Sequence, residues 1–328
     1  MAIAALIIFL VFFHAFIAVF VIDLVKRKKS GRKYHRNEVI VALLLILPAV
    51  ALAFFLVVLP IFFSFGYAFT NFNLLKPNNI KLADYGGFGN FVDLFKEFFS
   101  GGAAFKAFRN TAIFVVLVVP LQITMALLLA LFVNNKRRGT VVFKICFFAP
   151  VAISLSVTAF LWLVILSPNP AGIMNSIFAW FGIPTQDFLR QENVVLIWMV
   201  IISAWQGCGY QMLIFLSALG NIRKDLYEAA SIDGAGPFRK FFTITLPGLR
   251  PTLLYILITV FIGACRVLIQ PMLLTGYQDQ SMTLSYYMYQ QGFTYRHVGY
   301  SCAVALVLTF VIGSITFLQR KLLGEKKK

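Results

Sequence analysis

An all-α, multi-pass membrane fold follows from three features of the sequence. Of its 328 residues 60% are hydrophobic and only 12% charged, and mean hydropathy is +0.85. A soluble chain of that length needs far more polar surface. Apolar runs long enough to cross a bilayer, about 20 residues each, recur along the whole chain. Most of the 29 lysines and arginines lie on alternate connections between those runs, the distribution expected when one side of the membrane is cytoplasmic.

Seven spans are expected, at 2–25, 38–69, 110–133, 141–166, 194–218, 251–274 and 299–318. The first is followed by KRKKSGRKYHR (26–36) and has neither a basic leading segment nor a small-residue cleavage site, so it reads as a retained reverse-oriented anchor rather than a signal peptide. Residues 1–37 therefore form an extra amino-terminal helix and basic linker, and 38–328 a membrane domain with a six-helix core. The remaining basic segments are NNKRRG (134–139), the loop 219–250 and the tail QRKLLGEKKK (319–328). Together they put the amino terminus outside and the carboxyl terminus inside.

On the outer side, residues 70–95 are rich in Asn, Gly and aromatics. The following stretch, LFKEFFSGGAAFKAF, is expected to lie at the interface with Phe95, Phe98, Phe99, Phe105 and Phe108 toward lipid. The segment 167–191 carries three prolines around a short apolar piece, read as an interfacial or re-entrant helix that packs on the bundle rim or docks an external partner.

Catalytic chemistry is not written in this chain. Cys146, Cys208, Cys265 and Cys302 form no C-x-x-C pair and read as small packing residues. His14, His35 and His297 are scattered, and no nucleotide-binding, zinc-protease or serine-hydrolase motif occurs. No metal or cofactor is expected, and the chain reads as a non-enzyme. Asp23 and Glu38 are the acids in the spans, each near an end, which leaves an ion-coupled secondary transporter without mid-membrane carboxylates.

The loop 219–250 is different. After the polar start NIRKD, Leu226, Tyr227, Ala229, Ala230 and Ile232 are expected to make about two helical turns, Asp233-Gly234-Ala235-Gly236-Pro237 to stop them, and the proline to open the next helix. An amphipathic surface helix accounts for Phe238, Phe241 and Phe242, but not for an acid followed by small residues, a turn and glycine. That order, Glu228-Ala229-Ala230, then Gly234, then Ile244-Thr245-Leu246-Pro247, resembles the cytoplasmic signature of permease subunits of ABC importers. The resemblance covers 40–320. Through SFGYAFTNFNLL, FKICFFAPVAISLSVTAFLWLVI and AWQGCGYQMLIFLSALGNIRKDLYEAASIDGAG, it extends to the carbohydrate branch, the larger maltose permease subunit and its glycerol-phosphate relative.

The resemblance implies a type I ABC importer permease fold in a bacterial or archaeal cytoplasmic membrane. It implies as partners a second, different permease chain, two ATP-binding subunits that hold ATP and magnesium, and an extracellular substrate-binding protein. Glu228, Ala229, Ala230, Asp233 and Gly234 would seat in a cleft of the ATPase. The sugar-holding positions carry over to Ser203, Gln206, Gly207 and Tyr210 in one helix and to Val260, Gly263, Ala264, Val267 and Ile269 in the next. The second group lacks the amides and aromatic of a maltose site. Arg266, in the same span, is a charge expensive to hold in a membrane, and reads either as a contact for an anionic solute or as a structural ion pair. The expected cargo is an oligosaccharide, neutral or anionic; a non-sugar solute such as glycerol phosphate is the alternative, with an ATP-independent transporter behind it.

Overall fold

The computed structural model describes residues 36–76, 80–134, 139–276 and 280–323. The expected first span and the linker after it lie outside these residues. Helix α1 (Arg36–Ala53) passes through a π-helical turn, Phe54–Val58, into α2 (Leu59–Tyr67). The next connection carries α3 (Gly89–Phe99) and leads into the long α4 (Ala103–Asn134). Then come α5 (Thr140–Ala152), α6 (Leu155–Ile165), the short α7 (Ile173–Trp180) and α8 (Glu192–Gly220). The loop after α8 holds α9 (Lys224–Ile232) and α10 (Pro237–Lys240), with a π-helical turn Phe241–Thr245 and a helical turn Leu246–Gly248. Helices α11 (Arg250–Cys265), α12 (Ile269–Leu274), α13 (Leu284–Tyr289) and α14 (Val298–Leu323) complete the chain. Among the described residues the extended pairing is limited to one isolated bridge, Thr70 with Leu82.

Among the described residues, four helical segments are long and apolar enough to cross a membrane: Leu45–Tyr67, Ala103–Asn134, Val194–Gly220 and Val298–Leu322. Two bent pairs raise the number to six if each is one span. Here the structure corrects two expectations. The run 141–166 is not one helix, because α5 and α6 meet at 101°. Pro150 interrupts the α5 ladder, Ile153 is extended, and Ser154 caps the new helix by accepting from Val157 N at 3.3 Å. Likewise 251–274 is not one helix. Its regular part, α11, ends at Cys265, and at its lower end it meets Pro237–Gly248 at 67°. Hydropathy averages over such breaks and does not register them.

The breaks are satisfied by side chains. Carbonyls freed at the end of α11 accept from Ser285 Oγ (to Cys265 O, 3.1 Å) and Thr283 Oγ1 (to Val267 O, 2.7 Å). Buried or lipid-embedded backbone cannot leave such groups unpaired. The core is built around α4 and α8, whose Phe114, Val118, Met199, Ile202, Met212 and Phe215 are almost wholly buried. At Gly209 the α8 backbone approaches α5 so closely that a Cβ would overlap the Phe147 carbonyl oxygen.

Near the start of α4, Asn110 Nδ2 donates to Met282 O at 3.1 Å, and Leu284 N donates to Thr111 Oγ1 at 2.8 Å. The hydroxyls of Tyr287 and Tyr300 both donate to Glu97 Oε2, at 2.6 and 2.8 Å. Burial, with the neighbouring carboxylate, holds the Tyr287 phenol well above its ordinary range. Four of the five phenylalanines expected to face lipid, Phe95, Phe99, Phe105 and Phe108, are exposed. Phe98 instead sits among Phe99, Phe105 and Phe108 in edge-to-face contact. On α7 and the residue after it, Trp180 and Phe181 are exposed.

Candidate functional site: an amide-lined cavity and a glycine-stopped loop helix

A cavity of about 480 Å³ lies between α4, α6, α8 and the broken end of α11, within the range of small-molecule sites. Ser203, Gln206 and Gly207 of α8 line it, as do Val260, Gly263 and Ala264 of α11 and Arg266, Val267 and Ile269 at the break. The structure thus brings together every sequence-expected position but one. Tyr210 lines a separate cavity with Ser217, Asn221 and Thr252.

Glutamines dominate the polar lining, and three of them escaped sequence reasoning: Gln122 on α4, Gln211 on α8 and Gln270 on α12. The signal was available, since an amide inside an apolar span needs a partner or a cavity. Ser203 Oγ donates to Gln270 Oε1 at 2.7 Å. Gln206 Nε2 donates to Ile153 O and to Thr158 Oγ1, each at 3.1 Å, so this amide serves the carbonyl released by the α5–α6 break. Its own Oε1, and Oε1 of Gln211, are buried without a partner among the described residues. Gln122 lies against Gly207, where a Cβ would overlap its amide, whereas Gly263 faces open space.

Arg266 is not in mid-helix, as its place in the apolar run suggested. It caps α11, its backbone N–H donating to Gly263 O at 3.2 Å. The guanidinium is exposed and has no hydrogen-bond or ion-pair partner among the described residues. A cation there complements the negative end of the helix dipole, and its five donors stay open to a carboxylate or hydroxyls.

The helix in the loop 219–250 forms as its residues dictate. After α9, Gly234 adopts φ +72°. Ala235 N donates to Ala230 O at 2.8 Å and Gly234 N to Ser231 O at 3.1 Å, the paired closure that a left-handed glycine makes at a helix end. Pro237 then occupies the first turn of α10. Glu228, Ala229, Asp233 and Gly234 are exposed and Ala230 half-buried, while Ile232 is 87% and Phe238 81% exposed. Arg223 grips Asp225 through two nitrogens, Nε donating to Oδ1 at 3.1 Å. Two contacts tie α9 to the downstream half of the loop. Tyr227 OH meets Thr245 Oγ1 at 2.8 Å, and Lys240 Nζ donates to Ser231 Oγ at 2.6 Å.

Residues 122–327 match the family model described as binding-protein-dependent transport system inner membrane component. The chain is 32% identical over 263 residues to the arabinooligosaccharides transport system permease protein AraP of Bacillus subtilis (strain 168), covering 78% of this chain and 81% of that one. It is 30% identical over 292 residues to the lactose transport system permease protein LacF of Rhizobium radiobacter (87% and 94%). Against the sn-glycerol-3-phosphate transport system permease protein UgpA of Yersinia pestis it is 29% identical over 247 residues (74% and 82%). The fold is similar to that of a chain in the crystal structure of a bacterial alginate ABC transporter in complex with alginate pentasaccharide-bound periplasmic protein. The TM-score is 0.75 at 23% identity, over 87% of this chain and 94% of that one.

Proposed function

The chain belongs to the family of binding-protein-dependent transport system inner membrane components, and on that footing we propose that it is a permease subunit of an ATP-driven importer of oligosaccharides. The observation that carries the substrate class is the lining of the main cavity. Ser203, Thr259 and four glutamines surround it, and the unpaired Oε1 atoms of Gln206 and Gln211 are acceptors suited to sugar hydroxyls. Relatives named for arabinooligosaccharides and lactose support the same reading.

In the assembly we envisage, residues 38–328 form the membrane domain and 1–37 an appended anchor, with the amino terminus outside and the carboxyl terminus in the cytoplasm. A second permease chain completes the path, two ATP-binding subunits carry ATP and magnesium, and an external protein delivers the sugar. The segment 219–250 couples them. Glu228, Ala229, Ala230, Asp233 and Gly234 rest on an ATP-binding subunit. Its closure moves α9, and the Tyr227–Thr245 and Ser231–Lys240 contacts carry that motion to the foot of α11 and so to the cavity wall.

Arg266 supports a second reading, a uronate-bearing oligosaccharide, because its guanidinium is exposed and unpartnered among the described residues. ATPase stimulation in the reconstituted complex, with sugar delivered by its binding protein, tests both. Under the neutral reading, arabino-oligosaccharides stimulate the natural chain and Arg266→Gln alike. Under the acidic reading, the uronate oligosaccharide is preferred. Arg266→Gln then weakens its apparent affinity about tenfold or more, the loss expected on removing a charged hydrogen bond. Stimulation by no carbohydrate would overturn both.

A further inference from the structure

The second cavity, about 480 Å³ and lined by Tyr210 and Ser217 of α8, Asn221 capping it and Thr252 of α11, lies on the same face of α8 as part of the main cavity. Ser203, Tyr210 and Ser217 are seven residues apart and Asn221 follows four later, intervals of about two turns and one turn that keep all four on one stripe. Helix α11 carries a matching series, Thr252, Tyr255, Thr259 and Gly263, continued by its cap Arg266 and stepped by three or four residues. The two helices run in opposite directions: Arg266 and Thr259 share the main cavity with Ser203, and Thr252 shares the second with Asn221. Two polar stripes therefore face the same lane, with a cavity at each end of it.

Lipid is the wrong environment for this lane. Large apolar side chains dominate the exposed faces of the other spans, Ile61, Phe62 and Phe65 on α2, Val116, Leu128 and Phe132 on α4, Phe310 and Phe317 on α14, with small hydroxyls such as Thr124, Thr309 and Ser314 among them. The lower half of α8 and the residue after it present a larger polar set, for Tyr210 is 49% exposed and Ser217 and Asn221 are exposed, beside Phe148, Leu213 and Ile214 in the cavity wall. On α11, Tyr255 is 53% exposed. Polar groups set against hydrocarbon without partners are costly. The side chains of Tyr210, Ser217, Asn221 and Thr252 have no hydrogen bond among the described residues. A phenol ring beside free hydroxyls and an amide offers a face for a pyranose or furanose ring and donors and acceptors for its hydroxyls.

We propose that the second cavity is an inner station for the transported, hydroxyl-rich solute, entered along the lane from the main cavity before release to the cytoplasm. The station rests on the carbohydrate reading of the main cavity. Tyr210 supplies the stacking surface, and Ser217, Asn221 and Thr252 the polar contacts.

The test uses the assembled complex in proteoliposomes, with the exposed Cys146 changed to Ala and single substitutions Ser217→Cys or Asn221→Cys. A membrane-impermeant methanethiosulfonate is applied from the ATPase side, with and without an arabino-oligosaccharide on that side. Leu128→Cys, on an apolar exposed face, serves as the reference. Both lane cysteines are expected to react while Leu128→Cys does not, and sugar at about ten times its dissociation constant should slow them about tenfold by occupancy. Failure of both lane cysteines to react in every nucleotide state would mean that the partner permease covers the stripe, and would overturn the station. So would reaction that the sugar leaves unchanged although it stimulates ATP hydrolysis. Stimulation by no carbohydrate would remove the carbohydrate reading itself, and the station with it.

Discussion

Replacing Gly209 by leucine is expected to prevent assembly of a stable complex. At this residue α8 lies against the α5 backbone, and even a Cβ would overlap the Phe147 carbonyl oxygen. Because the obstacle is main chain rather than the end of a flexible side chain, the helices must separate. Overpacking of this kind costs about 1–3 kcal/mol, occasionally more, and separation reaches further here. It pulls Gln206 away from Ile153 O and Thr158 Oγ1, leaving a half-buried carbonyl unpaired at the α5–α6 break. Gly209→Ala should lower the melting temperature of the purified complex measurably, and Gly209→Leu should yield no assembled complex on size exclusion. Gly313→Ala on α14, where a Cβ meets nothing within 4 Å, should be neutral or stabilising by roughly 0.5–1 kcal/mol.

Gly234→Val should produce the opposite pattern, an intact membrane domain that does not transport. Gly234 is exposed, so little packing is lost, but its φ of +72° costs an L-residue about 1–2 kcal/mol, and a β-branched side chain suffers most. The bonds from Ala235 N to Ala230 O and from Gly234 N to Ser231 O then open, and Ala229 and Ala230 lose their presentation beside Glu228. Sugar-stimulated ATP hydrolysis is expected to fall at least about tenfold, the consequence of depopulating the docking geometry by about 1.4 kcal/mol, while the melting temperature changes little. Tyr227→Phe isolates the transmission step. Without its hydroxyl to reach Thr245 Oγ1, α9 still docks but moves α11 less, so ATP hydrolysis should persist while uptake per ATP declines. Equal losses of both would place Tyr227 in docking instead.

The turn at Gly234 was legible because its determinants are local: a glycine that tolerates positive φ, a proline that tolerates a first helical turn, and small residues before them. Most of the cavity was legible for a different reason, the alignment of α8 and α11 with a known family. What escaped were features that depend on where a helix stops. Hydropathy treats Ile153 and Ser154 as interior to a span, yet Pro150 and the Ser154 cap end one helix and start another at 101°. Arg266 was conspicuous as a charge, but its position at the end of α11 depends on Thr283 and Ser285 receiving the freed carbonyls, contacts made from beyond the span. Tyr210 follows Gln206 by only one turn, so spacing groups the two, whereas the structure sets Tyr210 in the neighbouring cavity. Gln122, Gln211 and Gln270 each stand almost alone in apolar sequence, so no periodicity marks them. Their meaning emerges only when three helices converge.

Uptake of a labelled oligosaccharide into proteoliposomes tests the account most directly. The reconstituted system contains this chain, its permease partner, the ATP-binding subunits and the binding protein. Accumulation that requires ATP and the binding protein together, survives dissipation of ion gradients and is lost with Gly234→Val is the predicted result. Accumulation driven by an ion gradient without ATP, or unaffected by Gly234→Val, would contradict it.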